Sequence, residues 1–216
     1  MLRNSTQYVC ANGRGRRAAI FILVAVTACA AAEEPMTVEQ TVLLFNTAHL
    51  PAQELEKAKD VATTILEQAG IRLRWLDCPA DQACDNPNDR TSLILSIQAE
   101  SRQHNERHER LGEAFPAPEG GRSIRVFYNE AKLVSALHRV DVSVPVVLGH
   151  GIAHEMGHLL IPLVGHEPAG IMRGDWDPAD WQGMAVGRMR FTAQEASRMR
   201  AEVKRRVSAN LTARSL

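Results

Sequence analysis

His154-Glu155-Met156-Gly157-His158 is the stretch around which the rest of the chain is organised. Residues four apart on an α-helix stack on one face, so His154 and His158 can both turn an imidazole toward one metal ion. Glu155 stands beside them, where a carboxylate can take a proton from a water on that ion. The flanks suit a helix. Ser143 and Pro145 are openers, and Pro162 disfavours helix at the residue before it, which ends the segment near Leu160. His150 lies one turn before His154 on roughly the same face. It serves either as a substrate or oxyanion contact, or as a filler near the helix start.

Two histidines do not complete a catalytic zinc site, because a third protein ligand is normal. His166 is the leading candidate, eight residues past His158, with Gly165 allowing a sharp turn just before it. Glu167, Asp175, Asp177 or a water are the alternatives, and imidazole is a better zinc ligand than a mobile carboxylate. Ala169-Gly170-Ile171-Met172 follows. Trp176, Asp180 and Trp181 come next, and packing or hydrogen bonding is their default role.

Upstream, the pattern alternates between strand and helix. Thr41-Val42-Leu43-Leu44-Phe45 is short, apolar and β-prone. Pro51 opens a helix in which Leu55, Ala58, Val61, Ala62, Ile65, Leu66 and Ala69 recur at helical spacing, and Gly70 ends it. Ile71, Leu73 and Trp75 alternate with Arg72 and Arg74, which predicts a half-exposed strand. Further strands are expected at residues 93–97, 111–115 and 124–128, and a helix over residues 130–139. Residues 99–110 are almost wholly polar; His104 and His108 within them read as part of a solvated segment. Thr192-Ala193-Gln194-Glu195 is a capping box that starts a final helix, with Ala196, Met199 and Val203 facing inward and many charges outside. The expectation is an α/β (α+β) domain over residues 33–216 with no internal repeat.

The 216 residues carry 25 basic and 25 acidic side chains. Residues 1–32 hold four arginines and no acid, so the remainder has 21 basic against 25 acidic residues, a net of −4. A nucleic-acid binder would need a basic stripe, and there is none. Arg14, Arg16 and Arg17 precede an apolar run from Ala18 to Ala28, the pattern of an export signal occupying residues 1–32. Ala30-Ala31-Ala32 fits a small-residue cleavage site, whereas Val26-Thr27-Ala28-Cys29 resembles a lipobox that would leave Cys29 lipidated as an N-terminal anchor. No later segment reaches the ~20 apolar residues of a membrane span. The expected location is the periplasm, the medium or the cell envelope. Cys78 and Cys84, six residues apart in a polar loop, favour a small disulfide over half of a metal site.

The chain resembles the metzincins, most closely their matrixin branch, and also exported bacterial proteins with the same His-Glu-x-x-His-Leu-Leu and Gly-Ile-Met-Arg blocks. Those zinc endopeptidases carry His-Glu-x-x-His-x-x-Gly-x-x-His followed by a turn containing Met. His154, Glu155, His158, His166 and Met172 match in order and type. Leu111-Gly112-Glu113-Ala114-Phe115-Pro116, Gly120-Gly121 and Val126-Phe127 look like the family's edge strand, loop and following strand. Departures are local. Ile161 stands at the family glycine, Val164 at the usual third histidine, and Arg173 and Gly174 replace the Pro and Tyr that often follow the Met.

The resemblance implies one catalytic zinc ion on His154, His158 and His166, Glu155 as general base, Met172 as a hydrophobic floor, and a peptide or protein substrate paired to the edge strand at residues 111–115. Two alternatives stay open: a zinc amidohydrolase acting on other amides, and a zinc-containing surface protein that binds a partner without catalysis.

Overall fold

Val42 and Leu44 are fully shielded from solvent because their strand runs through the middle of a sheet covered by helices. The computed structural model of the chain describes residues 37–79, 84, 91–100, 110–116, 122–137, 142–161 and 165–215. The leader with Cys29, His104 and His108, Gly120-Gly121, and Pro162 and Val164 lie outside the described residues.

Among the described residues, five strands and five helices form an α/β arrangement: β1 (Val38–Asn46), α1 (Ala52–Gln68), β2 (Ile71–Cys78), β3 (Leu93–Gln98), β4 (Gly112–Phe115), β5 (Ser123–Phe127), α2 (Tyr128–Leu137), α3 (Val144–Leu160), α4 (Pro178–Ala185) and α5 (Ala193–Arg214). The sheet order is β2-β1-β3-β5-β4. The first four strands in that order are mutually parallel, and β4 alone runs antiparallel, on the edge beside β5, with Gly112 opposite Val126 and Phe115 opposite Ser123.

The alternation expected in β2 is present: Ile71 and Leu73 are buried, Arg72 and Arg74 exposed. The strand runs three residues further than residues 71–75, to Cys78, which is disulfide-bonded to Cys84 across a Cα–Cα distance of 5.6 Å. Leu93, Leu95 and Ile97 of β3 and Ile124 and Val126 of β5 are buried, while the side chains between them are more exposed. Ala58, Ala62, Ile65 and Leu66 of α1 join them in one apolar core, together with Ile152, Met156 and Leu160 of α3.

Two boundaries differ from the sequence expectation. Leu111 is outside β4, although its carbonyl still accepts a hydrogen bond from Phe127 N–H at 2.9 Å. Tyr128 is the first residue of α2 rather than the last of a strand, so β5 passes directly into a helix that ends at Leu137. Among the described residues, no helix is long and apolar enough to cross a membrane.

Candidate metal centre

Helix α3 is the scaffold of the site. Ser143 is its N-cap residue and Pro145 lies in its first turn, where the missing N–H costs nothing. Almost every residue of α3 is buried, so its direction is fixed by packing on both sides. His154 and His158 sit in its second half. Beyond its C-cap at Ile161 the chain returns to place His166 opposite them.

The three imidazoles converge. Ring centroids lie 4.7 Å apart for His154 and His158, 5.3 Å for His154 and His166, and 5.1 Å for His158 and His166. One ring nitrogen from each falls within 4.8 Å of the other two. The extra residues between His158 and His166, compared with the expected spacing, do not prevent the third ring from reaching the cluster.

The donor chemistry fits a metal ion. His154 Nδ1 lies 2.7 Å from the Ile171 carbonyl, and a carbonyl only accepts, so Nδ1 carries the proton. That fixes the tautomer and leaves the Nε2 lone pair for a ligand bond, the usual outer-sphere arrangement of a metal-bound histidine. His154 Nε2 is 3.0 Å from His158 Nε2. Two imidazole nitrogens on a tetrahedral zinc ion at ~2.0–2.1 Å stand somewhat over ~3 Å apart, so this spacing is close to what a shared ion requires. Burial pushes His154 down to about 4; the Ile171 hydrogen bond resists, and the neighbouring His158 and His166 add to the fall. His154 therefore presents a neutral ring at ordinary pH. Exposure grows from buried His154 through half-buried His158 to exposed His166, so the cluster opens to solvent on the His166 side.

The carboxylates that could have replaced His166 are engaged or apart. Asp177 caps α4, accepting from Ala179 and Asp180 N–H, and pairs with Arg173 Nη1 at 2.6 Å. Glu167, whose backbone bridges to Arg173, is not part of the cluster. Asp175 is exposed and, like the other two, is not part of the cluster.

Glu155 is 7% exposed and faces the edge strand. A Cβ on Gly112 would come within 2.7 Å of Glu155 Cγ, and Ala114 N–H donates to its carboxylate. Burial pushes Glu155 up to about 8; Arg110 pulls it down, Glu113 adds to the rise, and the Ala114 hydrogen bond opposes it.

Met172 is fully buried with its sulfur against Gly157, and Trp176 stacks edge-on to His154 at 5.7 Å. Trp181 in turn packs on Trp176 at 5.7 Å and donates from Nε1 to the Trp176 carbonyl. Asp180 closes the α4 capping box and pairs with Arg173. The packing role expected of these three residues is therefore real, but Trp176 also touches a candidate ligand, which sequence alone did not indicate. His150 is buried one turn before His154, with Nδ1 2.8 Å from the Val146 carbonyl. Burial lowers its pKa.

No protein-family model matches the chain, and no curated protein matches it.

Proposed function

We propose that this chain is an exported zinc metallopeptidase of the metzincin type. The convergence of three imidazoles within 4.8 Å, beside a buried carboxylate that touches the sheet's edge strand, is the observation that carries the reading. His154, His158 and His166 would hold the ion. Three-imidazole sets accept several first-row metals, and zinc suits this one because a base stands beside the ligands. When bound, zinc supplies a Lewis acid that polarises a carbonyl and brings water's pKa toward ~7.

The chain's own groups supply the rest. The Glu155 carboxylate accepts the proton of the attacking water and returns it to the leaving amine. Ala114 N–H and Gly112 keep that carboxylate seated. Trp176 packs edge-on against His154, and the Ile171 carbonyl, next to Met172, holds its Nδ1. Among the described residues β4 is an outermost strand of the sheet, beside which an extended peptide could add as a further strand. The Cys78–Cys84 disulfide suits an oxidising compartment and so supports export. Three imidazoles would leave one position of a tetrahedral ion open, as catalysis needs.

Metal analysis of wild type and His166→Ala, paired with a peptide-library assay of Glu155→Gln, tests the proposal. Wild type should hold about one zinc, His166→Ala should lose most of it, and Glu155→Gln should keep metal while cleavage falls by about 10²–10⁴. Unchanged zinc in His166→Ala removes that residue from the site. Unchanged cleavage in Glu155→Gln removes the base. Hydrolysis of wall fragments or small amides but not of peptides would favour the amidohydrolase, and no hydrolysis at all the binding protein.

A further inference from the structure

Arg173 is joined to both acids that open helix α4. Its Nη1 donates to Asp177 Oδ2 at 2.6 Å and to Asp180 Oδ2 at 3.1 Å. Those acids are also the two halves of the α4 capping box. Asp177 Oδ1 accepts from Ala179 and Asp180 N–H, and Asp180 Oδ2 accepts from Asp177 N–H at 3.0 Å. The cap side chains satisfy the helix N–H groups by themselves, so the start of α4 does not require the arginine.

What the arginine adds is a closed loop. Gly174, Asp175 and Trp176 lie between the backbone bridge at Arg173 and the opening of α4, in no helix or strand. Backbone bonds hold the near end: Glu167 N–H donates to the Met172 carbonyl at 2.8 Å, and Arg173 N–H to the Gly170 carbonyl at 3.2 Å. The Arg173–Asp177 pair draws the far end back to it. Two of the three residues enclosed touch the histidine cluster. The Gly174 backbone lies so close to His166 that a Cβ would stand 2.6 Å from Nδ1. Trp176 meets the His154 ring edge-on at 5.7 Å.

We infer that Arg173 is a positioning residue for the histidine cluster: by closing the 173–177 loop onto Asp177 and Asp180, it holds Gly174 against His166 and Trp176 against His154. The inference rests on reading the three histidines as metal ligands. Its sign separates it from a charge effect. A fixed cation repels a bound one, so an Arg173 that acted through charge alone would, on removal, tighten metal binding. An Arg173 that closes the loop would, on removal, release the support of two ligand rings and weaken binding.

The test uses the full chain with zinc, and with cobalt(II) as a spectroscopic probe. Arg173→Gln keeps a polar side chain but loses the ion pairs, whereas Arg173→Lys keeps a cation for the same acids. Zinc affinity, read by competition with a chelator, should fall about tenfold in Arg173→Gln and recover most of the loss in Arg173→Lys. The visible cobalt bands should change shape in the first variant and return in the second. Unfolding midpoints in excess chelator should move little, because the ion pair is partly exposed. Zinc binding that is unchanged or tighter in Arg173→Gln overturns the inference and leaves the metal reading intact. Failure of wild type to bind either ion overturns the metal reading instead, and the metal-free chain then decides the role of Arg173. In ¹⁵N-histidine spectra the His154 Nδ1 proton, which faces the Ile171 carbonyl, should exchange with water faster in Arg173→Gln than in wild type. Equal exchange overturns the inference there too.

Discussion

The sulfur of Met172 occupies the space that a side chain at position 157 would need: a Cβ built on Gly157 collides with Met172 Sδ. The Phe191 ring is 3.1 Å from the same point. An exposed Gly→Ala change inside a helix gains ~1 kcal/mol from propensity. Overpacking a filled core costs ~1–3 kcal/mol, so the clash should win here. Gly157→Ala should therefore lower stability in thermal melts. It should also weaken metal binding, because Ile171, next to Met172, supplies the carbonyl that orients His154. Adding Met172→Ala should recover part of the metal affinity, which a double-mutant cycle reads directly. Independent, additive effects would show that the contact does not couple the turn to the helix.

Gly174 plays the corresponding part for the third histidine. A Cβ at this position would lie 2.6 Å from His166 Nδ1 and 2.8 Å from its Cγ. Both residues are exposed, so the ring can swing away with little disturbance elsewhere. Gly174→Ala should therefore lower zinc affinity by about 10–100-fold, the usual effect of disturbing a ligand's support. Melting temperature in excess chelator should stay close to wild type. Isothermal titration with zinc checks this, and an unchanged affinity would mean that the His166 ring does not need its present position.

Much of the architecture was readable because it rests on local periodicity and capping. The Ile71–Leu73 alternation, the α1 repeat and the Thr192–Glu195 capping box all appear where the residues suggested. Helix α4 was missed, although Asp177-Pro178-Ala179-Asp180 carries an N-cap, a proline in the first turn and a reciprocal acid. It is eight residues long, and Asp at the fourth position is not the usual Glu or Gln of the box. The histidine cluster was legible as residue types. The close approaches of Gly112 to Glu155, Gly157 to Met172 and Gly174 to His166 were not, because they exist only after distant segments pack. The same holds for Trp176 against His154. The sequence places many charges outside on α5, yet Glu202 and Arg206 are buried.

Glu155 makes the metal-free protein sensitive to pH. Its folded pKa, raised to about 8 by burial, lies above the unfolded carboxylate value of 4.5. Above pH 8 the buried charge costs stability in full. The cost fades as pH falls from 8 to 4.5, because the folded state holds a proton that the unfolded state has lost. In chelator, Glu155→Gln should therefore be more stable than wild type at pH 8.5 by roughly 3–5 kcal/mol. The advantage should vanish near pH 4.5. Zinc should shrink the gap at high pH, since a nearby cation favours the carboxylate. Urea midpoints at the two pH values, with and without metal, measure this. A gap independent of pH would mean that the carboxylate is solvated.

The buried pair Glu202–Arg206 ties α5 to α3. Arg206 Nε donates to Glu202 at 2.8 Å, while its Nη2 donates to the Leu159 carbonyl at 2.6 Å, in the last turn of α3. Burial alone would raise the Glu202 pKa, but the Arg205 and Arg206 hydrogen bonds and charges outweigh it and hold it below the usual carboxylate value. A depressed folded pKa contributes stability that is present above the unfolded pKa and lost as pH falls through the folded one. Glu202→Gln removes that contribution and leaves Arg206 buried beside a neutral amide. It should cost about 3–5 kcal/mol at pH 7, the usual penalty for breaking a buried pair. The difference from wild type should narrow as pH drops below the carboxylate range, where Glu202 itself becomes neutral. Arg206→Met, which removes the buried cation while keeping much of its apolar bulk, should cost less if desolvation dominates and as much if the Leu159 carbonyl needs its donor. Chemical denaturation of the three proteins at pH 7 and pH 3.5 separates these cases. A Glu202→Gln penalty that is the same at both values would show that the pair's contribution is not electrostatic.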